Sequence, residues 1–168
     1  YEIRNCDWSS DVCSSDLYKT ASLIANSAKA AAILSNSSRD IAESLYNYGR
    51  NLGLAFQIVD DILDFTSPTE ILGKPAGSDL IAGNITAPAL FAMAEKPYLQ
   101  VLIEREFCES GDIEQALELV RESQGIQRAR DLAADHAEFA LKYLNCLPTS
   151  ACSQALVDTV DYVLSRLF

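Results

Sequence analysis

Three aspartates lie close together in a segment that is otherwise almost entirely apolar. They are Asp60, Asp61 and Asp64, and hydrophobic residues dominate the whole of residues 52–65. A hydrophobic run of that length is too long for a single strand, so it predicts a buried helix. At 3.6 residues per turn, Gln57 and the three aspartates fall along one stripe of that helix.

A buried stripe of carboxylates requires a cation. Ionised carboxylates are costly to bury unless they are paired or coordinate a metal, and like charges at this spacing repel each other. Mg²⁺ takes oxygen ligands, keeps several waters, and commonly binds through one or two carboxylates together with substrate phosphates. The pattern therefore predicts a magnesium site for a phosphorylated substrate. On the motif alone, a solvated polar stripe on an amphipathic helix is an equally acceptable interpretation.

The composition narrows the choice of partners. The chain has 13 basic and 24 acidic residues, and the net charge of −11 argues against nucleic acid or an anionic membrane as the main partner. The hydrophobic content of 49% argues against a disordered chain. No apolar run reaches the length of a membrane span, so we do not expect an integral membrane protein. The five cysteines lack CxxC spacing, which indicates neither a zinc site nor a disulfide framework.

Residues 1–17 differ in character from the rest of the chain. They have neither helical nor strand periodicity, and they resemble the conceptual translation of a common sequencing adaptor. We expect this segment to be non-native, and the domain to occupy residues 18–168.

The remaining sequence predicts an all-α fold. We expect helices at about residues 18–34, 41–65, 98–108, 113–123, 126–145 and 150–167, with a further one capped by Thr86. The polar break at residues 35–40 supplies N-cap candidates for the long helix. Within that helix, Gly49 and Gly53 indicate close packing of a neighbour or a ligand, because glycine otherwise destabilises a helix.

Residues 67–85 are predicted to form one irregular loop. Loops of this length in a compact domain are often functional. Lys74 and Asp79 are its charged residues of interest, and Lys74 is the only basic side chain between Arg50 and Lys96.

Four stretches of the chain resemble the trans-type polyprenyl diphosphate synthases. They are Lys19-Thr20, then Phe56-Gln57 followed by Asp60-Asp61-Ile62-Leu63-Asp64, then Gly73-Lys74-Pro75 with Gly77-Ser78-Asp79-Leu80, and finally the pattern from Leu132-Ala133 to Arg166. The amino-acid sequence of residues 71–80 and 83–88 is most similar to that of long-chain, solanesyl-type synthases of plants and cyanobacteria.

The resemblance implies an isoprenoid-synthase-type helical bundle, of which this chain would be the C-terminal half. The implied reaction is the Mg²⁺-dependent head-to-tail condensation of an allylic diphosphate with isopentenyl diphosphate to a long-chain polyprenyl diphosphate. The residues carried over from the family are Asp60, Asp61 and Asp64 as metal ligands, Lys19 and Lys74 as catalytic cations on the diphosphate, and Thr20 and Gln57 as groups that orient it. The family habit is a homodimer when full length. A plastid location follows from the same resemblance, with mitochondrion or cytoplasm as alternatives.

Two departures from the family pattern affect these expectations. Asn84 stands where many members have a lysine, and the first aspartate-rich motif is missing from the sequence. We therefore expect the chain to be unable to catalyse elongation alone. The competing interpretations are a non-catalytic partner subunit, which the intact second motif disfavours, and a class I terpene cyclase, whose second metal motif is not found here.

Overall fold

The computed structural model describes residues 20–67, 73 and 75–167, and within them it contains helices and no β-strand. In chain order the helices are α1 (Ser22–Leu34), α2 (Arg39–Thr66), α3 (Ser78–Ile81), α4 (Ala87–Glu95), α5 (Tyr98–Glu104), α6 (Asp112–Glu122), α7 (Gly125–Tyr143) and α8 (Ala151–Ser165), with a 3₁₀ turn at Leu144–Cys146. The all-α prediction is confirmed.

The helices form two compact units. The first contains described residues 20–59 and 132–167, and the second contains residues 60–131. The long helix α2 and helix α7 each contribute residues to both units.

In the first unit, α1 packs against α2 at unusually short range. A Cβ atom placed on Gly49 would lie 2.8 Å from the Cα of Ala25, and one placed on Gly53 would lie 2.5 Å from the Cα of Ala21. Real Cβ atoms do not approach backbone so closely. The two glycines therefore allow the α1 backbone to lie against α2, which confirms the prediction that they serve close packing of a neighbour.

Two partly buried polar contacts also hold α2 in the first unit. The hydroxyl of Tyr48 donates to the carbonyl oxygen of Leu156 on α8 at 2.9 Å, and burial raises the pKa of Tyr48 to about 12. Asn51 is buried, and its Oδ1 lies 2.9 Å from Nδ1 of His136 on α7. Since Oδ1 is an acceptor, the imidazole proton belongs on Nδ1.

The second unit has its own apolar core. Its buried members are Phe65, Leu80, Ala89, Ala92, Met93, Leu99, Leu102, Ala116 and Val120. Phe65 comes from the last turn of α2 and Leu80 from α3, so the helix that carries the aspartates and the short helix after it are both anchored in this core.

Several helix ends differ from the predicted ones for identifiable reasons. The predicted loop at residues 67–85 contains the short helix α3. Helix α5 ends at Glu104 rather than near residue 108, because Glu106 and Phe107 adopt left-handed backbone conformations with φ of 54° and 53°. Thr86 occupies the N-cap position of α4, but its side chain makes no capping hydrogen bond.

The N-cap predicted before the long helix is present. The amide of Ile41 donates to Oγ of Ser38 at 3.3 Å, and α2 begins at Arg39. The preceding helix α1 ends at Leu34, and Asn36 then adopts the left-handed conformation (φ 54°) that is typical of a helix C-terminus.

Two expectations from composition can be compared with the described part of the chain. No helix there combines the length and the apolar character needed to cross a membrane. Cys108, Cys146 and Cys152 are free, exposed thiols.

The close contact between α1 and α2 predicts that replacing a glycine of α2 with alanine destabilises the protein, which is the opposite of the usual effect in a helix. Gly→Ala normally stabilises a helix by about 1 kcal/mol. At Gly53 the new methyl group would meet the backbone of Ala21, and overpacking of this kind costs about 1–3 kcal/mol. We therefore expect Gly53→Ala to lower the free energy of unfolding, as measured by urea denaturation. Ala30→Gly, at an exposed position of α1, calibrates the helix-propensity contribution. A stability gain in Gly53→Ala would show that the two backbones are not in contact.

His136 predicts a pH dependence of stability. Burial lowers its pKa, and the charge of Arg50 lowers it further against the opposing influence of Asp135. The folded state therefore binds fewer protons than the unfolded state, whose histidine has a pKa of about 6.5. The free energy of unfolding should fall as the pH is lowered through that value toward the lower folded pKa. His136 is the only histidine, so His136→Gln isolates its contribution. An identical slope between pH 7 and 5 in both proteins would contradict this.

Candidate active site

The three aspartates of the sequence motif lie at the C-terminal end of α2, in the second unit. Asp61 and Asp64 are almost inaccessible to solvent, with 2% and 1% of their surface exposed, whereas Asp60 is half-buried. The intervening Ile62 and the following Phe65 are buried as well. The helix therefore holds two carboxylates in a largely desolvated environment, where an ionised group needs hydrogen-bond donors or a cation.

The side chain of Asp64 is held by the segment that begins α3. Its Oδ1 accepts a hydrogen bond from Oγ of Ser78 at 2.9 Å, and its Oδ2 accepts one from the amide of Asp79 at 3.2 Å. The carbonyl oxygen of Asp64 also accepts a hydrogen bond from the amide of Gly77 at 2.9 Å. Fourteen residues after the motif, the chain thus returns to its last aspartate.

The return of the chain depends on a glycine. Gly77 is the N-cap of α3 and adopts a left-handed conformation (φ 71°), which a residue with a Cβ atom adopts only with strain. A Cβ atom there would also lie 2.5 Å from Cδ2 of Leu117 on α6. Glycine at position 77 therefore suits the turn, and a larger residue would also displace the Leu117 side chain.

A second polar contact between predicted site residues lies in the first unit. The hydroxyl of Thr20 donates to Oε1 of Gln57 at 2.8 Å. This hydrogen bond fixes the orientation of the Gln57 amide, whose Nε2 group is its donor side. The contact is adjacent to the close packing at Gly53 and Ala21, which determines the separation of the two helices at that point.

The structure describes some of the predicted site residues and not others. Thr20 contacts Gln57, while Lys19 and Lys74 lie outside the described residues. Within the described part of the chain, no three His, Cys, Asp or Glu side chains converge to form a metal-binding group. The motif aspartates thus do not form a complete cage for an ion by themselves.

This donor set still suits Mg²⁺. The ion usually keeps several waters and takes only one or two protein carboxylates, with substrate phosphates as further ligands. Asp60 and Asp61 supply adjacent carboxylates, one half-buried and one buried, which are hard oxygen donors of the right kind. The residues are therefore compatible with a magnesium ion shared with a phosphorylated ligand.

Comparison with known proteins identifies the family. The family model described as Polyprenyl synthetase matches residues 14–120, which is more than half of the chain. The chain belongs to the polyprenyl synthetase family. The matched range includes the Thr20–Gln57 contact, the three aspartates and the Gly77–Asp79 segment.

Individual members of the polyprenyl synthetase family are closely similar to this chain in sequence or structure. A "Prenyl transferase" of Synechocystis sp. is 66% identical over 150 residues, which are 89% of this chain and 46% of the relative. The chloroplastic solanesyl diphosphate synthase 2 of Arabidopsis thaliana is 56% identical over 89% of this chain and 36% of its own length. A polyprenyl synthase structure from Caulobacter crescentus, complexed with calcium and isoprenyl diphosphate, has a TM-score of 0.85 and 34% identity, over 99% of this chain and 53% of the other. The chain thus spans about half or less of these relatives.

Sequence reasoning found the aspartates but not the partners of Asp64. The sequence Gly77-Ser78-Asp79 resembles the family's loop but does not predict a contact with Asp64. A glycine followed by a serine is a usable signal for a capped turn, although the sequence does not reveal which acidic residue the serine contacts.

Gly77 allows the turn strain and the steric contact to be tested separately. Gly83 has a similar positive φ of 81°, but nothing lies within 4 Å of a Cβ atom placed there. Gly77→Ala should therefore destabilise more than Gly83→Ala. We expect a difference of about 1 kcal/mol in the free energy of unfolding, at the low end for overpacking because the Leu117 side chain can shift. Equal losses in the two variants would contradict a steric role for Leu117.

Proposed function

We propose that the protein containing this chain is a long-chain prenyltransferase of isoprenoid biosynthesis. It condenses an allylic diphosphate with isopentenyl diphosphate, head to tail and with Mg²⁺, to a polyprenyl diphosphate of the solanesyl type. Family membership and the names of the relatives support this reaction class. The observation that carries the proposal is the buried aspartate motif at the end of α2, in a chain 66% identical to a prenyl transferase.

Asp60, Asp61 and Asp64 are the proposed magnesium-binding residues. Bound Mg²⁺ supplies positive charge that stabilises the negative charge developing on a diphosphate leaving group. The calcium and isoprenyl diphosphate in the Caulobacter polyprenyl synthase structure support a divalent cation and a prenyl diphosphate as ligands. The acidic chain makes a cation necessary, since carboxylates alone would repel a diphosphate.

The remaining proposed site residues act on the diphosphate directly. Lys19 and Lys74 contact it as point charges, and each ammonium group donates up to three hydrogen bonds. Thr20 and Gln57 orient the substrate. Their mutual hydrogen bond supports this role, because an amide held through Oε1 presents Nε2 in a fixed direction.

The proposal extends to assembly and location. The full-length protein is a homodimer in a plastid, and the chloroplastic solanesyl diphosphate synthases among the relatives support the plastid location. Mitochondrion and cytoplasm are the alternatives, and imaging of the full-length protein fused to a fluorescent protein distinguishes the three.

A chimera tests the proposed reaction. Residues 18–168 would replace the matching half of the Synechocystis prenyl transferase, which shares 66% identity with this chain. With Mg²⁺, an allylic diphosphate and labelled isopentenyl diphosphate, we expect long-chain polyprenyl products. Asp60→Asn and Asp61→Asn should each lower kcat/KM about 100-fold or more, because each removes a group that holds the charge-stabilising metal.

The matched control is Asp161→Asn, the same change at an exposed position of α8. It should leave the rate unchanged. A folded chimera that makes no product would contradict the proposed reaction. Full activity in both aspartate variants would contradict the assigned metal ligands.

A further inference from the structure

The last basic residue of the chain lies over the ring of the residue that precedes Gln57. Arg166 follows the final turn of α8, and its Cζ atom lies 4.8 Å from the centroid of the Phe56 ring on α2. Both side chains are partly buried. A guanidinium group over an aromatic face is attracted by the ring, and the attraction is stronger where water is partly excluded. We call this contact the Arg166–Phe56 pair.

A second contact joins α8 to α2 nearer the start of both helices. The hydroxyl of Tyr48 on α2 donates to the carbonyl oxygen of Leu156 on α8 at 2.9 Å. Along α2, Phe56 lies about two turns after Tyr48, and along α8, Arg166 lies about three turns after Leu156. The two helices therefore run side by side in the same direction. The Arg166–Phe56 pair fixes the C-terminal end of α8 on α2.

The same turn of α2 is also held from the side of α1. The hydroxyl of Thr20 donates to Oε1 of Gln57 at 2.8 Å, and one turn earlier Gly53 leaves room for the backbone of Ala21. Phe56 and Gln57 are consecutive residues, so two neighbouring elements hold one turn of α2. A rotation of that turn would disturb both contacts. The direction of the Gln57 amide therefore depends on Arg166 as well as on Thr20.

The end of α8 is also an electrostatically suitable place for a cation. The last turn of α8 has no basic residue, and Arg166 is the only basic residue after Lys142. The C-terminal end of a helix carries partial negative charge, which a cation at that end offsets. In a chain with a net charge of −11, Arg166 thus places a permanent positive charge beside the turn that carries Gln57.

We propose that Arg166 is a positioning residue for the diphosphate site, because its pair with Phe56 fixes the turn of α2 that presents Gln57 to the substrate. The role of Gln57 in this proposal rests on the proposed function. The Arg166–Phe56 pair itself does not depend on that function. Arg166 acts through Phe56 and does not itself contact the diphosphate.

A double-mutant cycle in the 168-residue chain tests the pair without any substrate. Arg166→Met removes the charge and keeps most of the length of the side chain, and Phe56→Leu removes the ring. Urea denaturation of the two single variants and the double variant should reveal a coupling between the two positions. We expect it to correspond to about a twofold to fivefold change in the folding equilibrium constant. Strictly additive losses would overturn the pair.

Kinetics of the chimera then test the positioning role. Arg166→Met and Phe56→Leu should each raise KM for the allylic diphosphate about fivefold and leave kcat within about twofold, because a misdirected Gln57 weakens substrate binding. The double variant should be no worse than either single variant, since both changes break the same pair. Phe56→Tyr keeps the aromatic face and should retain the KM of the parent.

A second pair of the same kind provides the matched control. In the second unit, the Cζ atom of Arg128 lies 4.5 Å from the centroid of the Phe91 ring. Arg128→Met and Phe91→Leu remove a similar contact elsewhere in the chain. They should leave KM for the allylic diphosphate unchanged, so that a general loss of stability is distinguished from a loss of positioning.

The outcomes separate positioning from the other roles that Arg166 could have. If KM is unchanged in both Arg166→Met and Phe56→Leu, the pair is structural only and the positioning role is overturned. If the increases in KM add in the double variant, Arg166 contacts the diphosphate directly, which also overturns it. If Phe56→Leu does not fold, a rise in KM confined to Arg166→Met and absent from Arg128→Met supports positioning, and no rise overturns it. An inactive parent chimera overturns the proposed reaction, whereas the pair is judged by the urea cycle alone.

Discussion

The burial of negative charge at the end of one long helix is the constraint on which the candidate site depends. Asp61 and Asp64 are almost fully enclosed, in a helix whose neighbouring positions Ile62 and Phe65 belong to the apolar interior. Placing an ionised carboxylate there is expensive unless donors or cations surround it. For Asp64 the chain supplies the donors itself, by returning with Ser78 and Asp79.

The same helix is constrained in a different way in the first unit. There the constraint is the short distance between α1 and α2. Gly49 and Gly53 allow the backbone of α1 to contact α2, and any larger residue would force the helices apart. One contact of predicted site residues, between Thr20 and Gln57, lies one helical turn from Gly53. Helix α2 thus carries predicted site residues in both units. Close packing at glycines determines the surroundings of these residues in the first unit, and the burial of carboxylates determines them in the second.

Much of the secondary structure could be predicted because its signals are local. Hydrophobic periodicity located the long helices to within a few residues, and Ser38 was within the predicted capping segment. The errors arise where tertiary contacts or unusual backbone conformations determine where a helix begins or ends. Glu106 and Phe107 end α5 in left-handed conformations, although neither is a glycine or an asparagine. Helix α3 is too short for its sequence to indicate it, and it depends on Asp64 at its first turn.

The candidate site was predictable in its residue types and less so in its contacts. The spacing of the aspartates indicated a shared helical stripe, and the structure has all three on α2. The spacing does not reveal that Asp64 contacts Ser78 and Asp79, because that contact is determined by where a distant segment returns. The Thr20–Gln57 hydrogen bond joins residues 37 positions apart, and only the packing of α1 on α2 brings them together.

The point at which the chain returns to α2 has a consequence for how this region can diverge between related proteins. The chain leaves α2 after Thr66, and the amide of Gly77 donates to the carbonyl oxygen of Asp64 in the last turns of the same helix. The entropy of closing a flexible loop grows only logarithmically with length, so that doubling the number of residues costs about 0.6 kcal/mol. Insertions and deletions between Thr66 and Gly77 should therefore cost the fold little free energy. This leaves the length and chemistry of the loop open to selection for different substrates while the helix and its aspartates stay in place.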